Sequence, residues 1–151
     1  MRRVSREFWG EHPMSNLDKH AGNVLLLRVG MISLLIALVL AWGLIFTVAL
    51  RLDFALAIIH HTDKLLSAHL DFLMMTMLLF GFYCVKAPLP AYVRWPMAIG
   101  SITNPGCFLI EALHATHPPA WFMPFAMTSV TLTTIGYGMG AILLLRWTLR
   151  D

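Results

Sequence analysis

The segment formed by residues 29–50 contains 22 residues and no charged side chain. At 1.5 Å per residue, a helix of this length spans about 33 Å, which matches the roughly 30 Å hydrocarbon core of a lipid bilayer. The segment is too long for the apolar region of a secretory signal, and 28 residues precede it. It therefore predicts a transmembrane helix.

Further apolar runs follow at residues 65–85, 97–115 and 121–145. Over the whole chain, 58% of the residues are hydrophobic and 13% are charged, against about 25% charged residues in a typical soluble domain. Together these features predict an all-α integral membrane protein, a four-helix bundle. Residues 1–28 are expected to form a cytoplasmic or interfacial segment, and residues 29–148 the transmembrane domain.

The basic residues predict the orientation of the chain. Nine of them fall before the first run, between the second and third runs, or after the fourth: Arg2, Arg3, Arg6, Lys19, Arg28, Lys86, Arg94, Arg146 and Arg150. Only Arg51 and Lys64 fall on the opposite side. Because Lys and Arg concentrate in cytoplasmic loops, both termini are expected in the cytoplasm, in a multi-pass protein of the inner membrane. The basic residues flank apolar runs, so no nucleic-acid partner is predicted.

The second run contains one imidazole and one carboxyl group, those of His69 and Asp71. A carboxylate at the centre of a membrane helix costs about 2.5–3.5 kcal/mol on insertion scales, so such residues usually serve a function. The third run is predicted to return in the opposite direction, which places Glu111 at a similar depth. Asn104 lies two turns from Glu111 on one helix face. The sequence therefore allows a cluster of His69, Asp71 and Glu111, with Asn104 a step deeper.

Each of these residues has a plainer interpretation. His69 either hydrogen-bonds a neighbouring helix or ligates a metal or haem. Asp71 and Glu111 either belong to the cluster or pair with Lys64 or Arg51 at the membrane boundary. Asn104 precedes Pro105 and either caps a backbone group freed by the proline or contacts a substrate.

Two other features predict contacts. Gly136 and Gly140 have the small-xxx-small spacing that allows two helices to approach closely. His114, near the end of the third run, is a possible second axial ligand for a haem held by His69.

The stretch from Leu66 to Met75 reads LSAHLDFLMM. It resembles the small four-helix membrane isomerases, namely styrene oxide isomerase and the hydroxylaminobenzene mutases, which carry an Ala-His pair at the start of the second helix. Residues 100–106, GSITNPG, are similar to an Asn-x-Gly stretch in the third helix of the same group. The resemblance spans roughly residues 25–148.

The resemblance implies that His69 ligates haem b with ferric iron and that subunits form a homotrimer with haem at their interfaces. It places Asn104 near the open face of the haem. The isomerases that the chain resembles carry an Asn and a Tyr that position the substrate oxygen. At the corresponding positions this chain has Met75 and Phe108, respectively. Either Asp71 or Glu111 is expected to hold the other nitrogen of His69.

The implied function is a Lewis-acid rearrangement of an aryl epoxide to an aldehyde without net electron transfer. The substrate is expected to be small, apolar and aromatic, and to reach the protein within the lipid bilayer. Two alternatives remain: a rearrangement like that of hydroxylaminobenzene mutase, and a membrane b-type cytochrome or haem-binding protein without catalysis.

Overall fold

The structure is a computed structural model that describes residues 23–116 and 118–149. Most of the predicted N-terminal interfacial segment, residues 1–22, lies outside the described residues. So does His117.

Every regular element of the described ranges is helical. Helix α1 covers Val24–Leu44 and continues as a π-helical turn, Ile45–Ala49. A short helix α2, Asp53–Ile58, follows. The long helices α3, Thr62–Cys84, α4, Ala91–Leu113, and α5, Phe122–Thr148, complete the described fold. The all-α prediction is confirmed for this part of the chain, and α2 is an element that the hydrophobic pattern did not predict.

Three of these helices are long and apolar enough to cross a membrane. They are Val24–Ala49, Thr62–Cys84 and Phe122–Thr148, which correspond to the first, second and fourth predicted runs. Helix α4 is 23 residues long but less apolar, because it carries Arg94, Asn104 and Glu111 and contains Pro96 and Pro105. It also begins six residues before the predicted run, after Pro90 at its N-cap.

The helices pack in a definite order. Helix α3 contacts both α1 and α4, α1 also contacts α4, and α5 packs mainly against α4. One buried apolar cluster joins α1, α3 and α4 near α2 and contains Ala37, Leu40, Leu65, Ala68, Phe72 and Ala112. A second cluster near the start of α1 contains Leu26, Leu79, Leu89, Val93 and Met97. We call these two ends of the molecule the α2 end and the Asn23 end.

Hydrogen bonds to the connections hold both ends together. At the Asn23 end, the fully buried side chain of Asn23 donates from Nδ2 to the Ala87 carbonyl at 2.7 Å and accepts from the Leu89 N–H at 3.5 Å. At the α2 end, the backbone N–H groups of His60 and His61 both donate to the Ala112 carbonyl. The short connections are therefore fixed against the helices rather than held only by their covalent ends.

Helices α4 and α5 approach each other closely at two glycines. A Cβ atom added to Gly136 would lie 2.5 Å from the backbone nitrogen of Met97, and one added to Gly100 would lie 2.8 Å from the Cα of Thr133. Both distances are shorter than any normal carbon contact. The predicted role of the 136–140 stretch in close helix packing is thus confirmed within one chain.

This packing predicts opposite effects of alanine at two glycines of α5. Gly136→Ala should destabilise the protein by about 1–3 kcal/mol, because the new methyl group must push the α4 backbone away. Gly138→Ala is the matched control: a Cβ atom there meets nothing within 4 Å, so the variant should be neutral or slightly more stable through helix propensity. Unfolding in detergent micelles measures both. Equal stability of the two variants would contradict the observed α4–α5 contact.

Candidate functional site

Two polar pairs connect α3 and α4. The Lys64 ammonium lies 2.8 Å from the Glu111 carboxylate, and the Asn104 Nδ2 atom donates to the Asp71 carboxyl at 2.8 Å. The two pairs are seven residues apart on both helices, which is about two helical turns. They therefore lie on one face of each helix and define the antiparallel register of α3 against α4.

The Asp71–Asn104 pair is less exposed, with Asp71 buried and Asn104 half-buried. The Asp71 side chain is only 8% exposed, and it lies well inside a membrane-length helix. A buried polar group costs free energy unless it is hydrogen-bonded, so the Asn104 amide partly offsets the cost of placing Asp71 there. The observed hydrogen bond of the Asn104 amide nitrogen is to Asp71 and not to a backbone group freed by Pro105.

The Lys64–Glu111 pair lies at the α2 end and is half-exposed, with 40% and 27% of the two side chains accessible. The Lys64 ammonium is also 5.9 Å from the centre of the Phe108 ring. An open pocket of about 420 Å³ borders this pair, with His61, Ala115, Thr116 and Pro118 forming the rest of its lining. Pairing with Lys64 at the boundary, the plainer interpretation of Glu111, is therefore the observed one.

His69 faces α1 rather than the two polar pairs. Its Nδ1 atom lies 2.9 Å from the Ala37 carbonyl oxygen, so its partner is the backbone of α1. The expectation that Asp71 or Glu111 holds this nitrogen is wrong. The physical reason is helix geometry: residues two apart project about 160° apart around the axis, so His69 and Asp71 point to opposite sides of α3.

The remaining predicted site residues follow the α3–α4 face. Met75 is buried, one turn beyond Asp71 on the same side of α3. Phe108 is half-buried one turn beyond Asn104 on α4 and packs against the apolar cluster of Ala37, Leu40, Leu65, Ala68, Phe72 and Ala112. The structure therefore brings Met75, Asp71, Asn104 and Phe108 to one helix interface and leaves His69 on another.

His114 lies at the end of α4, where its Nδ1 atom is 2.9 Å from the Ile110 carbonyl oxygen. The register set by the two polar pairs places residue 114 opposite residue 61, which directly precedes α3. His69 is eight residues deeper, or about 12 Å along the helix axis. The two imidazoles are therefore at different depths in the molecule.

Helices α4 and α5 are joined by a second set of polar contacts, which the sequence analysis did not predict. The Ser101 and Tyr137 hydroxyl oxygens are 2.6 Å apart, and those of Thr103 and Ser129 are 2.7 Å apart. The Thr131 and Thr133 hydroxyls donate to carbonyls of their own helix. The only signal in the sequence was the density of hydroxyl residues in two facing apolar runs. It does not say which hydroxyls meet.

The ligands available to a metal are few in the described residues. No group of three His, Cys, Asp or Glu side chains there is placed to hold a metal ion. The thiols of Cys84 and Cys107 are free. A metal-containing cofactor bound by this part of one chain would therefore be held by fewer than three of these side chains.

Comparison with known proteins gives no match to any family model, curated protein or solved structure.

The Asp71–Asn104 bond predicts a measurable coupling energy. Asp71→Ala and Asn104→Ala should each destabilise the protein, because the first leaves the half-buried Asn104 and the second the buried Asp71 without a partner. The double variant should be more stable than the sum of the single effects predicts, by about 0.6–1.7 kcal/mol, the range for hydrogen bonds between membrane helices. A double-mutant cycle on unfolding in micelles measures this value.

The Lys64–Glu111 pair serves as the comparison cycle. It is half-exposed, so its coupling energy is expected at the low end of about 0–1 kcal/mol and should fall as salt is added. A coupling energy of zero for Asp71 with Asn104, or one that falls with salt to the same extent, would contradict the assignment of that pair as the interior contact.

Proposed function

We propose that the protein is a membrane-bound, haem-dependent isomerase that rearranges a small aryl epoxide to an aldehyde without net redox. The observation that carries the proposal is the state of His69, a lone imidazole in a membrane-length helix with one nitrogen already engaged. The resemblance of the Ala68-His69 region and of residues 100–106 to the small four-helix isomerases supports the same function. We place the protein in the inner membrane, with α4 as its fourth span.

The surroundings of His69 fit a haem ligand. A carbonyl oxygen only accepts hydrogen bonds, so the contact with Ala37 requires that Nδ1 carries the proton. In the neutral imidazole, Nε2 then holds a free lone pair, the form in which imidazole ligates iron. The side chain is half-buried, and the neighbouring Leu66 and Leu70 are exposed. An apolar planar group therefore has a surface beside His69 on which to lie.

Haem bound there would supply a ferric Lewis acid that polarises the epoxide C–O bond. The chain's own residues do the rest. The Ala37 carbonyl fixes the tautomer and orientation of His69 and raises its basicity as a ligand. The buried Met75 and the half-buried Phe108 add apolar side chains beside the Asp71–Asn104 pair, which helps to exclude the water that would turn an opened epoxide into a diol.

Asn104 is the residue best suited to orient a substrate oxygen. One amide N–H is held by Asp71, which fixes the plane of the side chain. An amide has a second N–H, and it can donate to an epoxide or carbonyl oxygen. Asp71 acts in this scheme as a positioning residue for Asn104 rather than as a contact of the cofactor.

His69 and Asn104 do not meet within one chain, because α3 separates them. A site that uses both must be completed by a second copy, with the α1–α3 surface of one subunit against a neighbour that presents the Asp71–Asn104 side. A site between subunits agrees with haem at the subunit interfaces, and the number of three subunits rests on the resemblance.

The alternative of a b-type cytochrome with His69 and His114 as paired ligands is less well supported. The two imidazoles lie at depths that differ by about 12 Å, and axial ligands of one iron must face each other across it. Copies related by an axis along the membrane normal keep the same depths. This mismatch therefore remains in any oligomer of that symmetry.

The proposed role of His69 predicts a loss of haem when this residue is replaced. His69→Ala should abolish the Soret band of protein expressed with an adequate supply of haem, because Nε2 of His69 is the proposed iron ligand. His114→Ala is the matched control and should keep both the Soret band and a high-spin ferric spectrum. Absorption and electron paramagnetic resonance spectra of the purified protein measure both properties.

Two results would contradict the haem assignment. Full haem occupancy in His69→Ala would remove His69 as the ligand. A low-spin spectrum in the wild type that becomes high-spin in His114→Ala would establish the paired-histidine cytochrome.

The second prediction concerns turnover. Haem-loaded protein incubated with aryl epoxides should give aldehydes above the level of free-haem controls. Met75 and Phe108 replace two polar groups of the resembled enzymes, and one positioned donor commonly contributes about 10²–10³ in rate. The double variant Met75→Asn with Phe108→Tyr should therefore rearrange styrene oxide faster than the wild type.

The same substrate panel separates the alternatives. Conversion of arylhydroxylamines to aminophenols, without epoxide turnover, would favour the mutase reaction. Bound haem that rearranges nothing but is reduced readily by a quinol would replace the isomerase by an electron-transfer function.

A further inference from the structure

A groove lies at the Asn23 end, between the α3–α4 connection and the last turns of α5. Its volume is about 290 Å³. Residues 87–90 form one wall, and Leu143, Leu144, Arg146 and Trp147 form the other. It is separated from the candidate site, which lies toward the α2 end, and the proposed isomerase function does not use it.

The first wall is fixed by hydrogen bonds. The buried Asn23 side chain holds both the Ala87 carbonyl and the Leu89 N–H. Pro88 and Pro90 restrict the backbone on either side of Leu89, and Leu89 itself is buried in the cluster with Leu26, Leu79, Val93 and Met97. The groove is therefore preformed, and a ligand would not have to order this wall when it binds.

The groove combines apolar walls with one basic side chain. Arg146 lies in the last turn of α5, and its side chain is exposed. No described residue forms an ion pair or a side-chain hydrogen bond with it. Lys86, next to Ala87, is also exposed. The remaining lining side chains are Ala, Pro, Leu and Trp, so the chemistry matches an amphiphile with an anionic head and an apolar tail.

The position of the groove along α5 narrows the choice of ligand. Helix α5 is long and apolar enough to cross a membrane and ends at Thr148, so Arg146 and Trp147 lie at the level of the lipid headgroups. Trp147 is 46% exposed, as expected for an aromatic side chain at a membrane boundary. The distribution of basic residues assigns this end to the cytoplasmic leaflet, where basic pockets between membrane helices bind anionic headgroups.

We propose that this groove is a binding site for one anionic phospholipid of the cytoplasmic leaflet. The phosphate pairs with the Arg146 guanidinium, which presents several N–H donors to phosphate oxygens. An acyl chain lies against Leu143, Leu144 and the proline-flanked wall. The lipid joins the α3–α4 connection to the end of α5, two parts of the chain that the described hydrogen bonds do not link.

The test compares lipids on the intact protein. Full-length protein is purified in micelles that contain phosphatidylglycerol or phosphatidylcholine at equal mole fractions, and retained lipid is counted by native mass spectrometry. Phosphatidylglycerol should be retained in preference to phosphatidylcholine. Arg146→Gln should reduce its retention roughly fivefold, the effect expected for one basic residue at an anionic surface. Arg146 is exposed, so this variant should fold.

Arg28→Gln is the matched control. Arg28 is an exposed cation of α1 near the same end of the molecule, but it does not line the groove. Its replacement should leave retention unchanged. Inorganic phosphate, added at the same phosphate concentration as the lipid, should not displace phosphatidylglycerol, because it lacks the chain that the apolar walls bind.

Three outcomes would overturn the proposal. Equal losses in Arg28→Gln and Arg146→Gln would show diffuse attraction to basic residues rather than a site. Equal retention of phosphatidylglycerol and phosphatidylcholine would remove the charge recognition. Displacement by inorganic phosphate would show an anion site that does not recognise a lipid.

Discussion

The hydrogen bond between Asp71 and Asn104 is the interaction on which the arrangement of α3 and α4 depends. Apolar helix faces in a bilayer gain little from meeting each other, because lipid tails are as apolar as leucine side chains. Two such faces could slide by a turn at low cost. The buried Asp71 carboxyl group opposes such a shift, because sliding by one turn would leave it without its hydrogen-bond partner. The Lys64–Glu111 pair, seven residues away on each helix, agrees with the same register, so the two contacts reinforce each other.

Helix α4 is the polar centre of the fold, and this explains its low hydropathy. It presents Asn104 and Glu111 to α3, and Ser101 and Thr103 to hydroxyl groups of α5. Each of these groups would be costly against lipid but is paired between neighbouring helices. The same helix uses Gly100 to admit the α5 backbone. The sequence that makes α4 a poor membrane span by composition is therefore what makes it a good packing partner.

The apolar runs predicted the helical class and four membrane helices, and three of these four are long and apolar enough to cross a membrane. Hydrophobic length is a property of the sequence alone. The close approach at Gly136 was also predictable, since only small residues permit it. The hydrogen-bond partners of the polar side chains were not predictable. His69 and Asp71 were predicted to cluster because they lie at similar depths in the membrane. Side chains two residues apart on a helix, however, project about 160° apart around its axis. The actual partner of His69 is the carbonyl of Ala37, and every residue has a carbonyl, so no sequence pattern marks it.

The buried Asn23 side chain has a consequence for how the protein is made. Its two hydrogen-bond partners, the Ala87 carbonyl and the Leu89 N–H, lie 64 and 66 residues further along the chain. Helices that insert as the chain emerges from the ribosome place α1 in the bilayer first. The Asn23 amide then has no internal partner until α3 has crossed and residues 87–89 have returned to the same side. This contact therefore closes late in biogenesis, and it forms only when α1 and α3 have inserted in the correct opposite directions.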